Sequence, residues 1–211
     1  MSSAFTLYIG SKNISSWSMR PWLALKHAGV DFREVLIPLD QPGAKTEIRK
    51  ISPSGWVPAL HHGDLVIWES IAICEYAAEL FPEAKLWPAE RQARAVARSL
   101  AAEMHAGFSA LRSEMSMRIA ARASKTPSAL ARADIDRVLE IWLSCRERYG
   151  REGDFLFGHF TVVDAMYAPV VTRFETYGVE LPSAARTYAD RMLALPAMRE
   201  WIRGAHAEAE R

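Results

Sequence analysis

The segment Ser15-Ser-Trp-Ser-Met-Arg-Pro-Trp22 gathers serine hydroxyls, a guanidinium and two indoles just after an apolar run, Phe5-Thr-Leu-Tyr-Ile9, that reads as a β-strand. Pro21 is tolerated early in a helix, where the first backbone N–H groups have no partner, so the helix is expected to start near Trp17 or Ser18. Ser15 and Ser16 then sit just before or at that start, where free N–H groups and the positive end of the helix dipole favour an anion. A thiol held there loses its proton more readily, and a serine hydroxyl can donate a hydrogen bond to the thiolate. Lowering a thiol by roughly 2 units from a reference pKa of about 8.5 requires roughly 2.7 kcal/mol. A charge-assisted hydrogen bond worth about 1.5–3 kcal/mol, with the dipole, is of that size. Taken alone, the same serines are helix caps.

Further clusters of reactive or binding residue types follow. In Ser52-Pro-Ser-Gly-Trp-Val-Pro-Ala-Leu60, Pro58 fits the first residue of a strand, or else a fixed cis turn. In Trp68-Glu-Ser-Ile-Ala-Ile73, Ser70 opens a helix, where it is either a plain cap or a holder of a carboxylate. His105, Phe108, Arg112 and Met115 recur at helical spacing, and together they edge a cleft or belong singly to core and surface. Thr161 and Asp164 have the spacing of a helix capping box, a structural role.

The elements that must hold these residues differ between the two halves. Residues 1–82 alternate strands and helices in the order β-α-β-α-β-β-α. After Phe5–Ile9 come a helix carrying Trp22, Leu25 and Ala28 and ended by Gly29, a strand over Phe32–Ile37, and a weaker helix over Pro42–Ile51. Strands over Val57–Leu60 and Leu65–Ile67 are joined by a turn at His62–Asp64, and a helix runs from Ser70 to Leu80 with Ile71, Ile73, Cys74, Ala77 and Ala78 inward. Pro82 and Leu86-Trp-Pro88 mark a linker. Residues 90–211 then read as all-helical: one long helix over Arg91–Arg122, then Ala129–Tyr149, Thr161–Tyr177, Ala184–Leu193 and Ala197–Ala207. Trp68, Trp87, Trp142 and Trp201 look like packing anchors.

With 26 basic and 25 acidic residues among 211, the balance offers no electrostatic reason for a nucleic-acid or anionic-membrane partner. Cys74 and Cys145 fit neither a disulfide scaffold nor a zinc site and favour a reducing compartment. No metal is expected, since His61 and His62 are adjacent in a turn and lack ligand spacing. The N-terminus has no signal-peptide pattern and no stretch reaches the roughly 20 apolar residues of a membrane helix, so a cytoplasmic location is expected.

Ser15-Ser-Trp-Ser-Met-Arg-Pro-Trp-Leu-Ala-Leu25 resembles the Ser-Ser-Cys-Ser-x-Arg-x-Arg-Ile-Ala-Leu motif of zeta-class glutathione transferases, within the glutathione S-transferase superfamily. The segment at 52–60 resembles that family's Asn-Pro-x-Gly-x-Val-Pro-x-Leu, and Glu69-Ser70 resembles its acidic-residue-plus-serine pair. The resemblance implies a thioredoxin-like domain followed by an all-helical domain, with glutathione as cosubstrate. It places the thiolate-stabilising role on Ser15, with Ser16 as a substitute. It implies a cis Val57–Pro58 bond and backbone pairing of Val57 with the cysteinyl part of glutathione, while Glu69 and Ser70 hold the γ-glutamyl end. Trp56 stands where relatives have Lys or Gln for the glycine carboxylate, which leaves Lys45 as a source of that contact. Trp17 replaces the motif's cysteine, and Trp22 a later arginine. Trp17 with His105, Phe108, Arg112 and Met115 is expected at the second-substrate site. Arg173 falls near an arginine that zeta-class isomerases use for substrate carboxylates, against the ordinary expectation of a surface position.

The leading expectation is therefore a serine-type glutathione transferase acting on a small electrophile, as a homodimer. One alternative is a glutathione-dependent cis–trans isomerase of the maleylacetoacetate type. Another, from a different class, is a non-catalytic binding or regulatory protein on the same fold.

Overall fold

A computed structural model describes residues 4–39 and 41–210, so the ends of the two expected domains, residues 1–3 and 211, lie outside the described residues. The first apolar run forms β1 (Phe5–Gly10), in the middle of a four-stranded sheet of order β2-β1-β3-β4. β2 (Phe32–Ile37) runs parallel to β1, with Leu7 opposite Glu34. β3 (Ala59–His62) is antiparallel to β1, and β4 (Leu65–Trp68) is antiparallel to β3. Leu7 and Ile9 of β1 are fully buried, as a central strand requires. The helices of this unit are α1 (Ser16–His27), α2 (Ala44–Ile51) and α3 (Ser70–Leu80). On α3, Ile73, Cys74 and Ala77 are buried, whereas Ile71 and Ala78 are half-buried.

The second unit is helical: α4 (Arg91–Ala106), α5 (Ser109–Glu114), α6 (Ala129–Arg148), α7 (Val162–Tyr177), α8 (Ser183–Ala194) and α9 (Pro196–Ala209). α7 is enclosed all round and is its centre: every residue from Val162 to Phe174 is buried, Asp164, Thr172 and Arg173 included. α1 packs against α3 on its own side and against α7 and α9 of the helical unit. This sheet-and-helix unit followed by a helical domain is the thioredoxin-like plus all-α architecture read from the sequence. No helix among the described residues is long and apolar enough to cross a membrane.

Several local readings are corrected. The long helix over Arg91–Arg122 does not exist as one element: Gly107 is extended and Phe108 is left-handed (φ 59°), which breaks the run between α4 and α5. A Cβ at Gly107 would lie 2.8 Å from the Glu103 carbonyl oxygen, so the break suits glycine. Beyond Glu114 the chain is irregular as far as Ser128, because its backbone finds distant partners instead of helical ones: Ile119 N–H donates to the Asn13 carbonyl (3.2 Å), Ala120 N–H to Asn13 Oδ1 (2.9 Å), and Ala123 N–H to the Thr176 carbonyl (2.8 Å). α1 begins at Ser16, which leaves Pro21 inside it. β3 begins after the Val57–Pro58 bond, which is cis, so His61 and His62 lie in a strand and the turn is Gly63–Asp64. Trp142 and Trp201 are fully buried and Trp87 is nearly so, but Trp68, at the end of the edge strand, is 41% exposed and anchors no core.

The capping box at the start of α7 shows how one buried acid organises the helical unit. The Asp164 carboxylate accepts from Thr161 N–H (2.8 Å), Thr161 Oγ1 (3.0 Å), Leu156 N–H (3.1 Å) and Tyr188 Oη (3.2 Å). Removing it leaves these donors unpaired in the core, so Asp164→Ala should cost about 3 kcal/mol or more. Burial pushes the Asp164 carboxyl up to about 6, against the pull of those donors. The folded protein thus keeps this proton to higher pH than the unfolded chain, whose aspartates titrate near 3.9, and the group's contribution to stability falls as pH rises from about 4 to about 6. Urea unfolding at successive pH values should show wild type losing stability relative to Asp164→Asn across that window. A difference that is flat, or slopes the other way, would refute this.

Candidate active site

Ser15 is the N-cap of α1. Its Oγ accepts from Ser18 N–H (3.4 Å) and donates to Ser18 Oγ (2.8 Å), and Ser18 Oγ in turn accepts from Gly10 N–H at the end of β1 (3.0 Å). Ser18, in the motif but without a role in the sequence reading, therefore fixes the strand–helix corner that carries Ser15. Ser15 and Ser16 are 5% and 6% exposed.

Beside this corner lies a cavity of about 420 Å³ lined by Trp17, Ser54, Trp56, Val57, Pro58, Glu69 and His105. It brings together groups from the cis-Pro turn, from the start of α3, from α1 and from the far end of α4. Ser54, which the sequence reading left without a role, shapes the rim: its Oγ accepts from Trp56 N–H (3.2 Å) and bonds Ser52 Oγ (3.0 Å). Trp56 is 69% exposed there. Glu69, just before α3, has φ 68°, a conformation a non-glycine residue holds only where its surroundings enforce it. Ser70 is fully buried, and its Oγ has no hydrogen-bond partner.

The sequence-named residues divide accordingly. Trp17, Trp56, Val57, Pro58, Glu69 and His105 line the cavity. Ser15 and Ser16 sit at the α1 N-terminus, and Lys45 is exposed on α2, outside the lining. Phe108 and Met115 are core residues, with Phe108 edge-on to Tyr167 at 6.4 Å. Arg112 is tethered to the His105 and Gly107 carbonyls (3.1 and 3.0 Å) and lies over the Trp17 ring. Arg173 is 3% exposed, contrary to the surface position expected for it, because α7 is enclosed on all sides. Arg20, part of the motif but given no role, is fully buried beneath Trp17. A second cavity of about 510 Å³ is lined by the β1–α1 loop at Ser11, Asn13 and Ile14, by Leu36 and Pro38, and by Glu208 and Ala209 at the end of α9.

The cavity's charge is local. His105 Nε2 of the helical unit stands 3.6 Å from Glu69 Oε2 of the strained acid, a contact that becomes an ion pair only when the imidazole is protonated. Burial, then the nearby Arg20 and Arg112 guanidiniums, lowers the His105 pKa, while Glu69 opposes them. The imidazole is therefore neutral at pH 7. Cys74, fully buried, has its thiol pushed up to about 12 by burial and is no nucleophile. Among the described residues, no group of three or more His, Cys, Asp or Glu side chains is placed to hold a metal ion.

Family models agree with this layout. The glutathione S-transferase N-terminal domain matches residues 14–80, and the glutathione S-transferase C-terminal domain matches residues 89–204. The chain belongs to the glutathione S-transferase family. Among curated proteins it is 28% identical to a stringent starvation protein A homolog of Coxiella burnetii, over 99% of this chain and 94% of that protein. It is 28% identical to the maleylacetoacetate isomerase of Rattus norvegicus, over 83% of this chain and 80% of that one. Glutathione S-transferase 1 of Dianthus caryophyllus matches at 40% identity over about half of each chain, 46% and 45%. Among solved structures, a glutathione transferase homolog from Burkholderia gl BGR1 with bound glutathione superposes with a TM-score of 0.72 at 25% identity, covering 96% of this chain and 98% of that one.

The site electrostatics lead to a direct measurement. By NMR, His105 should titrate below the ordinary histidine value of about 6.5, and Glu69→Gln should lower it further, since the carboxylate favours the protonated ring. An unchanged or raised value in that variant would contradict the pairing of His105 with Glu69.

Proposed function

We propose that this protein is a glutathione transferase that binds glutathione in the cavity at Val57–Pro58, Glu69 and Ser70 and uses Ser15 to hold its thiol as thiolate. The observation that carries the reading is the convergence on one cavity of the cis-Pro turn, the strained Glu69 and Trp17 of the first turn of α1, the helix that Ser15 caps, with the unpartnered Ser70 hydroxyl next to Glu69 at the start of α3. Glu69 suits an α-ammonium, and the Ser70 hydroxyl at its helix start suits a carboxylate.

The chemistry asked of Ser15 is small in motion. Its Oγ keeps the hydrogen bond from Ser18 N–H, while its own O–H, which donates to Ser18 Oγ here, rotates about the Cβ–Oγ bond toward an incoming sulfur. The thiol proton leaves to solvent, and the thiolate forms a C–S bond with the electrophile, either as a leaving group departs with its bonding pair or as a π bond opens and the resulting anion takes a proton from solvent; the nucleophile arrives as a cosubstrate. Trp56 brings no cation to the glycine end, and Lys45 lies outside the cavity lining, so that carboxylate is gripped weakly.

The thiolate absorbance of bound glutathione, titrated against pH in wild type, Ser15→Ala and Ser16→Ala, tests this reading. A depressed thiol pKa in wild type, raised by about 1–2 units in Ser15→Ala (about 1.4–2.7 kcal/mol) and unchanged in Ser16→Ala, is the expected result. Depression that survives in Ser15→Ala but not in Ser16→Ala transfers the role to Ser16. Trp56→Lys should tighten glutathione binding about 3–10-fold by supplying the missing cation; equal affinity by calorimetry would mean the glycine end lies elsewhere.

Two further readings have specific support. The isomerase reading, in which the thiolate adds, a bond rotates and the thiolate leaves, is favoured by the likeness to the rat maleylacetoacetate isomerase and by the buried cation at Arg173. Turnover of a cis-alkene dicarboxylate distinguishes it from simple transfer. The non-catalytic reading is favoured by exposed Trp56 at the cavity rim and by the near full-length match to a protein named for stringent starvation. Glutathione bound with an unshifted thiol would favour that reading over both enzymes. For assembly, the edge strand β4, α3 and α4 expose Leu65, Trp68, Leu80 and Val96, a face suited to a homodimer contact.

A further inference from the structure

Glu69 and His105 line one cavity from the two units, the acid just ahead of α3 and the imidazole in the last turn of α4. Their facing atoms, Nε2 and Oε2, are 3.6 Å apart, too far for a hydrogen bond and close enough for an ion pair. Both side chains are open to solvent, the imidazole 26% and the carboxylate 52% exposed. Nδ1 of the same ring is buried without a hydrogen-bond partner, so a second ring proton finds no acceptor there. The ring stands edge-on to Trp17, with centroids 5.1 Å apart.

The charges that act on this imidazole come from three elements. Burial opposes its protonation most; Arg20 of α1 and Arg112 of α5 also oppose it, and Glu69 favours it. Elsewhere on α4, Glu103 is spent on Arg137 of α6, and Arg98, two turns back, is paired with Glu75 of α3. Tyr167, where α7 packs on α4, is kept neutral by burial. Glu69 is thus the group that stabilises a protonated His105, and the same carboxylate suits the α-ammonium of glutathione. One carboxylate has two claimants. The ligand's ammonium is charged throughout the neutral range, whereas the ring claims the acid only as imidazolium.

We propose that His105 is a pH-dependent competitor for the glutathione site: once protonated, it pairs with Glu69 across the two units and displaces the ligand's α-ammonium. The inference rests on the glutathione reading and adds the regulation of that site. Bound ammonium neutralises Glu69 and sets a positive charge beside the ring, while the ligand's α-carboxylate goes to the Ser70 hydroxyl. Ligand binding therefore lowers the proton affinity of His105, and by linkage protonation weakens ligand binding by the same factor. Above the His105 pKa nothing competes and affinity is constant; below it, affinity falls by up to about tenfold per pH unit. Because that pKa lies below the ordinary value of about 6.5, the fall belongs to the acid side of neutrality.

S-methylglutathione has no thiol proton, so its binding reports this competition apart from thiolate formation. Its Kd, measured by calorimetry, should weaken about two- to tenfold in wild type from about pH 7.5 to about pH 5, with protons released on binding. His105→Gln and His105→Phe, the second keeping a ring against Trp17, should match wild type within about twofold near pH 7.5 and show no weakening toward about pH 5. By NMR, saturating S-methylglutathione should lower the His105 pKa. Should one variant fail to fold, the other and the wild-type NMR shift decide.

A wild-type affinity that is flat with pH, a slope that survives in the variants, or a His105 pKa unchanged or raised by the ligand overturns the competition and leaves the glutathione reading standing. If S-methylglutathione binds at no pH, in wild type or variants, the glutathione reading itself fails and this inference falls with it.

Discussion

The corner where β1 becomes α1 is the constraint on which the rest depends. Gly10 N–H, Ser18 Oγ and Ser15 Oγ form a continuous chain of hydrogen bonds, so the helix cannot shift along the strand without breaking it. The helix is held from both sides. Trp22 Nε1 donates to Glu34 Oε2 of β2 (2.6 Å), and the Trp22 ring meets Trp201 of α9 edge-on at 5.2 Å. Trp201 Nε1 in turn donates to the Lys12 carbonyl in the loop just before Ser15 (2.9 Å). The N-terminus of α1 is thus positioned by packing in both units, and the role proposed for Ser15 draws on that rigidity.

Polar groups are distributed unevenly around that helix. Surface ion pairs such as Arg137 with Glu103 and Glu140 are complete, and they contribute little because water and salt screen them. Beneath the cavity the pattern reverses: Ser70 Oγ, His105 Nδ1 and the Arg20 and Arg173 nitrogens are buried without partners. In a low-dielectric interior an unpaired donor is expensive, and interiors seldom contain one unless something else completes it. The near-neutral balance of the whole chain conceals this local excess of positive charge, since 26 cations and 25 anions are summed without regard to place.

The irregular segment after α5 belongs to the same logic. Its backbone bonds to Asn13 and Thr176 close the β1–α1 loop against the end of α7 and hold Met115, Met117 and Ile119 in the core. Arg112, on the last regular turn before it, is thereby held over Trp17. Glu69 and His105 meet across the two units at the cavity. The cavity is consequently a product of the contact between units, and neither unit would shape it alone.

What the sequence determined by itself was whatever depends on near neighbours in the chain. Alternation and helical periodicity marked Phe32–Ile37 and Ser70–Leu80 with the bounds the structure shows, and Thr161 and Asp164 announced their capping box, because the atoms involved are within a turn of each other. The motif around Ser15 and the order of the two units were legible for the same reason. Only tertiary structure decided the break at Gly107–Phe108, the burial of Arg173, the exposure of Trp68, the orientation of His105 toward Glu69 and the enclosure of Arg20 under Trp17. Apart from the contact of Arg20 with Trp17, three residues apart, these turn on how segments distant in the chain pack or fail to pack. High helix propensity along 91–122 could not reveal that Asn13 and Thr176 compete for its N–H groups, nor that a third helix would close over the arginines.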